Sequence, residues 1–169
     1  MDKESRFKKI IEILEKENAP VSGSKIANML NITRQVVVQD VAVLKSRGYQ
    51  IISTARGYIL NKKEPPFKRV FAVKHSKEDI FKELSIIVNN GGEVIDVIVE
   101  HPLYGEIRGM LNIRTIEDAK TFLSKMETSK AVPLMSLSNG IHLHTVGALT
   151  NEQLDRIEKL LKEEGFLLY

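Results

Sequence analysis

Cysteine and tryptophan are both absent from the 169 residues. Without thiols the chain can form no disulfide, thiolate metal site or cysteine nucleophile, so any transition metal must be bound through nitrogen and oxygen. Long apolar runs are missing as well. No stretch approaches the roughly 18 to 20 residues that would span a bilayer, and MDKESRFKKI at the start lacks the apolar block of a signal peptide. These absences imply a soluble, cytoplasmic protein with no membrane partner. Histidine occurs only four times and proline five. What is present is 43% hydrophobic and 28% charged, too apolar for a disordered tail and enough for one medium or two small globular domains.

Charge divides the chain. Residues 1–63 carry 12 Lys/Arg against 6 Asp/Glu, while residues 64–169 carry 13 against 16, so a net charge of +3 hides a basic half and a slightly acidic one. Within 23–63 there are seven basic side chains and a single acid, Asp40. That asymmetry is the footprint of a nucleic-acid-binding module joined to a second domain. The boundary falls at NKKEPPFKR, where Pro65 and Pro66 resist helix and ladder alike.

In the basic half, Phe7, Ile10, Ile11 and Leu14 recur at helical spacing between Lys3 and Lys16. A short second helix is predicted over Ser24 to Leu30, then a tight turn at Asn31 and Ile32, then a third helix capped by Thr33 and stopped at Gly48. This is the helix-turn-helix arrangement. On the third helix Val37, Val41 and Leu44 form the core stripe, while Gln35, Val38, Gln39, Ala42 and Ser46 lie opposite and Arg34 sits in the first turn. Long amides and an arginine suit base edges in the major groove, and the small side chains suit thymine methyls. YQIISTARGYIL then reads as two short strands, a β-wing with Arg56 at its tip placed for phosphate or the minor groove. The competing reading is a winged helix used for protein contacts.

The second half predicts an α+β sandwich, one sheet covered by helices, with ferredoxin-like topology as one candidate. RVFAVKH reads as a strand, and Ser76 to Val88 as a helix with Ile80, Phe81, Leu84 and Ile87 inward and a Ser76–Asp79 capping box. EVIDVIVE and YGEIRGMLNI are strands, followed by a helix capped by Thr115. A short strand over Pro133 to Leu137, the strand GIHLHTVG, a helix over Asn151 to Glu164 and a closing strand FLLY complete the expectation.

Residues i and i+2 of a strand share a face, so His142 and His144 point together, and two adjacent imidazoles make half of a metal site. The further donors would come from His75, His101 or a carboxylate after His75, and spacing alone leaves Asp79 and Glu83 both open. The competing reading is a solvent-facing histidine pair. His101 and Tyr104 in VEHPLYGEI read either as a pocket wall for a small planar ligand or as a turn histidine beside an ordinary core tyrosine.

Taken together, PVSGSKIANMLNITRQVVVQDVAVLKSRGYQIISTARGYIL followed by HSKEDIFKEL, HPLYGEI and GIHLHTVGA resembles the bacterial niacin-responsive transcriptional repressors. The resemblance runs from about Arg6 to Leu168. It implies a winged helix-turn-helix domain over 1–63 and a three-histidine domain over 64–169 that binds metal and effector and dimerises. It further implies a homodimeric repressor that binds a double-stranded DNA operator at genes for NAD biosynthesis or niacin uptake. Nicotinic acid would be the co-repressor, beside a divalent transition metal, nickel or zinc. Carried over residue by residue, the implied metal ligands are His75, Glu83, His142 and His144, and here the resemblance selects Glu83 over Asp79. His101, Tyr104 and Arg108 are the candidate effector contacts. Thr33, Arg34, Gln35, Val38, Gln39, Ala42 and Arg56 are the DNA contacts read from the helix and wing. The runner-up is a metal-dependent hydrolase or oxygenase fused to a DNA-binding domain, disfavoured because no general base or nucleophile constellation accompanies the histidines; a third reading is a regulator that senses the metal itself.

Overall fold

Phe7, Ile10 and Leu14 fall on one buried stripe of α1 (Lys3–Lys16), and the Asp2 carboxylate caps that helix by accepting from Ser5 N–H at 2.9 Å. A computed structural model describes residues 1–61 and 64–169. The chain forms two compact units, Met1–Lys63 and Glu64–Tyr169. No helix among the described residues is long and apolar enough to cross a membrane.

In the first unit Ser22 caps α2 (Gly23–Leu30), and Asn31 ends it in the left-handed conformation at φ 54°. Asparagine tolerates that region, which lets the chain turn within three residues into α3 (Arg34–Ser46). Ile26, Ala27, Val37, Val41 and Leu44 join the α1 stripe in a single core. Strands β1 (Ile51–Thr54) and β2 (Gly57–Leu60) pair antiparallel, and Val21 adds a further bridge to Tyr58, with both N–H···O bonds at 2.8 Å. The result is a helix-turn-helix with a wing.

One side chain in this unit escapes the periodicity argument. Asp40 is 2% exposed, and its carboxylate takes the Nε and Nη2 hydrogens of Arg6. The single acid of the basic segment is thus turned into the protein, where it ties α3 to α1. Arg47 makes a second α1–α3 tie to Glu4 at 2.8 Å, on the surface.

The second unit runs β3 (Phe67–Lys74), a 3-10 turn (Lys77–Asp79), α4 (Ile80–Asn89), β4 (Glu93–His101), β5 (Gly105–Ile113), α5 (Ile116–Ser129), a 3-10 turn (Leu134–Ser138), β6 (Ile141–Ala148) and α6 (Asn151–Glu163). The sheet order is β3-β6-β4-β5, with every neighbouring pair antiparallel. Phe71, Val73, Val94, Ile113, Val146 and Ala148 face α4, α5 and α6 across one core. The opposite face of the sheet carries Val70, Ala72, Leu143 and Thr145, which lie outside that core, and among the described residues no helix covers it.

Two interleaved split βαβ units build this sheet, as in a ferredoxin-like domain, but the order corrects that expectation. The second and fourth strands are central here, and the first is at the edge. The reason is visible in burial: Val146, Gly147 and Ala148 are consecutively buried, as are Ile98 and Val99, whereas β3 exposes Val70 at 51%. Strands apolar on both faces take the centre.

Four local expectations change. Pro133 to Leu137 is not a strand but the Leu134–Ser138 turn, because Ser136 N–H bonds to Pro133 O at 3.0 Å and Ser138 hydroxyl turns to Met135 O, local partners that replace a ladder. The helix expected from Ser76 begins at Ile80, after the 3-10 turn, and Ser76 and Asp79 form no side-chain cap. Its inward stripe is Ile80, Glu83, Leu84 and Ile87, leaving Phe81 38% exposed. FLLY forms only a bridge, Val73 with Leu167, flanked by Lys74 N–H to Phe166 O and Leu168 N–H to Ala72 O, and so shields the β3 edge.

Candidate metal centre and nucleic-acid interface

Four buried polar side chains meet under the sheet. His142 and His144 stand on the helix-facing side of β6, opposite Val73 and Phe71 of β3, and His75 follows the end of β3. Glu83 reaches them from the inward stripe of α4 at 1% exposure. Gly140 lets the chain enter β6 close to His75. At its φ of 84° a Cβ would come within 2.5 Å of His75 O, so only glycine fits.

The hydrogen bonds decide which nitrogen each ring presents. His75 Nδ1 lies 2.8 Å from Ser76 O, His142 Nδ1 2.9 Å from Gly140 O and His144 Nδ1 2.7 Å from Asp96 O. A carbonyl only accepts, so each Nδ1 carries a proton and each ring turns its Nε2 toward Glu83, as a donor when protonated and as a ligating lone pair when not. His75 Nε2 is in contact with Glu83 Oε2, His142 Nε2 is 3.5 Å from the same oxygen, and His144 Nε2 is 3.1 Å from Oε1. The ligand atoms of His75, Glu83 and His142 lie within 4.8 Å of one another.

Such a cluster of acceptors needs positive charge. Burial by itself would raise the Glu83 carboxyl, but the charge of His144 and the hydrogen bonds of the three imidazoles hold it well below the usual carboxylate range. Burial would likewise lower His75 and His144, and Glu83 outweighs it, so both sit above the ordinary imidazole value. Glu83 Oε1 is buried, with His144 Nε2 3.1 Å away. Three imidazole nitrogens and a carboxylate in one buried cluster suit a borderline divalent cation, which would replace the Nε2 protons of rings already oriented by their Nδ1–H bonds.

The remaining histidine is different. His101 Nδ1 accepts from Leu103 and Tyr104 N–H at 3.1 and 3.2 Å, so its neutral ring carries the proton on Nε2, and it stacks on Tyr104 with centroids 5.0 Å apart. It serves the β4–β5 hairpin as a turn histidine, and Tyr104 is 70% exposed rather than core. Arg108 pairs in register with Ile98, which pairs with Leu143, placing it on the sheet face opposite His142 and His144. Its guanidinium bonds Asp96 at 2.7 Å. The three candidate effector contacts are therefore not gathered with the imidazoles in one wall. Asp79, the other carboxylate that spacing allowed, accepts from Ser76 hydroxyl at 3.0 Å instead.

On the first unit Thr33 caps α3 by accepting from Val36 N–H at 3.3 Å. Arg34, Gln35, Val38, Gln39, Ala42 and Ser46 are all exposed, and Val38 at 44% is an apolar side chain left to solvent on a helix whose other valines are buried or half-buried. Arg56 is half-buried in the turn between the wing strands. Lys45 ties α3 to the wing through Ser53 at 2.7 Å. Two residues escaped the sequence reading, Asp40 and Asp96. Both are lone acids inside apolar runs, VVVQDVAVL and EVIDVIVE, and that interruption was the available signal.

Comparison with known proteins accounts for both units. The HTH domain family matches residues 6–59 and the 3H domain family residues 68–169. The chain is 47% identical over 166 residues to a protein of Thermotoga maritima described as a probable transcription repressor NiaR, covering 98% of this chain and 95% of that one. The chain belongs to the NiaR/NadR-type repressor family. The transcription repressor NadR of Bacillus subtilis is 33% identical over 159 residues, covering 92% of this chain and 88% of its own length. Within that family this chain is a DNA-binding repressor and not an enzyme, so the hydrolase or oxygenase reading falls away.

Proposed function

We propose that this repressor shuts off genes for NAD biosynthesis or niacin uptake in the cytoplasm. In this reading it is a homodimer on a double-stranded operator, with nicotinic acid as co-repressor and a divalent metal, nickel or zinc, held by His75, Glu83, His142 and His144. What supports the metal is the buried meeting of three imidazoles with Glu83, the Nε2 atoms of His75 and His142 turned to Oε2 and that of His144 to Oε1. Bound there, the cation would supply a Lewis-acidic centre able to take a carboxylate or a pyridine nitrogen. The chain's part is to hold three rings in one tautomer, exclude water from them and present Glu83 as an anion. Support for niacin is the resemblance of the HSKEDIFKEL, HPLYGEI and GIHLHTVGA motifs to the niacin-responsive repressors.

Thr33, Arg34, Gln35, Val38, Gln39, Ala42 and Arg56 are the proposed DNA contacts, supported by their exposure or wing position. The helix-free sheet face, with Val70 51% and Ile141 42% exposed, is the surface on which a second copy would be buried. Effector binding would then favour the dimer in which two α3 helices stand about 34 Å apart, one turn of B-DNA. A coupling of about 1 to 3 kcal/mol suffices for such a switch. The test is a thermal-shift screen of nickel- and zinc-loaded protein against pyridine carboxylates and amides, followed by operator binding. Nicotinate should raise operator affinity and His142→Ala should abolish the rise. Operator affinity that follows metal alone at fixed nicotinate would make this a metal sensor instead.

A further inference from the structure

Asp96 is 1% exposed in the middle of an apolar strand, yet it holds polar partners on both sides of the sheet. The β4–β6 register shifts between Val94 and Ile98, and Asp96 lies inside that shift. There its carboxylate, rather than a ladder carbonyl, receives Thr145 N–H at 2.9 Å. The other oxygen takes the Thr145 hydroxyl at 2.9 Å and Arg108 Nη1 at 2.7 Å. The backbone carbonyl of the same residue accepts His144 Nδ1–H at 2.7 Å. A carboxylate anchored on the helix-free face therefore sets the carbonyl that orients an imidazole on the helix-covered face.

We propose that Asp96 is a positioning residue for the metal centre. It never touches the cation. Its three carboxylate bonds hold the β4 shift in place, and the shift keeps His144 in the tautomer that offers Nε2. Arg108, assigned by its sequence to effector binding, is here a brace of the same device, reaching His144 through Asp96. The inference rests on the metal reading above and adds residues beyond the four ligands.

The full-length protein tests it with zinc alone, measured by competition with a chromophoric chelator. Three further readouts are the visible spectrum of the cobalt-loaded protein, imidazole 1H–15N spectra of the zinc-loaded protein, and far-UV circular dichroism for folding. Asp96→Ala should weaken zinc about 10- to 100-fold, the range for residues that orient metal ligands. Asp96→Asn and Thr145→Val are near-isosteric and Arg108→Gln removes only an exposed guanidinium, so each should weaken zinc less than Asp96→Ala. In all of them the cobalt bands and the His144 Nδ1–H resonance should shift, while Lys120→Ala changes nothing. If Asp96→Ala does not fold, the three milder variants carry the test. Wild-type affinity, spectrum and resonance in Asp96→Asn and Thr145→Val would overturn the proposal while leaving the metal centre standing. Absence of zinc and cobalt binding in the wild type, matching His144→Ala, would instead remove the metal reading and this inference with it.

Discussion

The two units solve recognition in opposite ways. The first exposes its candidate contacts on one helix, Arg34 to Ser46, so that local periodicity alone places them. The second buries its candidate ligands and gathers them from the residue after β3, from α4 and from β6, residues 75, 83, 142 and 144, through long-range packing. A surface reader costs the fold little, because its polar groups keep their water. A buried polar centre must be satisfied in full, because an unpaired acceptor in a dry core is expensive.

The sharpest challenge to this contrast lies in the first unit, which hides one ion pair of its own. Arg6→Ala should leave the Asp40 carboxylate buried without its partner and destabilise that unit by about 3 to 5 kcal/mol in urea unfolding, with zinc affinity of the second unit unchanged. Next in size, Glu83→Ala should lower zinc or nickel affinity by about 100-fold or more, since loss of a ligand exceeds loss of its orienting partner. Calorimetric titration checks it, and non-specific DNA binding should not change.

Protons offer a subtler separation. His75 and His144 sit above their ordinary value of 6.5, so their contribution to stability is complete below that value and is lost as pH rises through the raised one. Glu83 sits below its ordinary value of 4.5, so its contribution persists above 4.5 and is lost only as pH falls through the depressed value. The metal-free second unit should therefore be less stable at pH 8 than at pH 6 from this source. Metal replaces those protons, so the rise in Tm on adding zinc should be larger at pH 8.

Smaller effects belong to the surface reader. Arg34→Ala or Gln39→Ala should cost about 1 to 3 kcal/mol at one operator position and relax specificity there, whereas Arg56→Ala should weaken all sequences alike and reduce the salt slope by about one. Removing the α3 cap with Thr33→Ala should cost about 1 kcal/mol in stability, the smallest change of the series.

The same contrast explains what could be read in advance. Thr33 as a cap, the Val37, Val41 and Leu44 stripe and the shared face of His142 and His144 follow from periods of 3.6 and 2, which are local. Glu83 was not separable from Asp79 by spacing, because the choice depends on a 3-10 turn that shifts the start of α4 and on Ser76 engaging Asp79. Phe81 and Glu83 illustrate the limit well: the apolar residue is outside and the carboxylate inside, where it meets His75, His142 and His144 beside the core residues Ile80, Leu84 and Ile87. Arg108 looked like an anion contact, and only strand order and register reveal that it stands on the other face of the sheet. Central and edge strands are settled by packing of both faces at once, which no single segment encodes.

The withdrawal of Asp40 behind Arg6 bears on how occupancy can be regulated. With its lone acid hidden, the segment from residue 23 to 63 meets phosphate with positive charge only, and release of condensed counterions will draw it to any duplex irrespective of sequence. A basal grip of that kind varies with salt and not with the sequence in the groove. Discrimination between sequences has to come from base-edge contacts added on top of that grip.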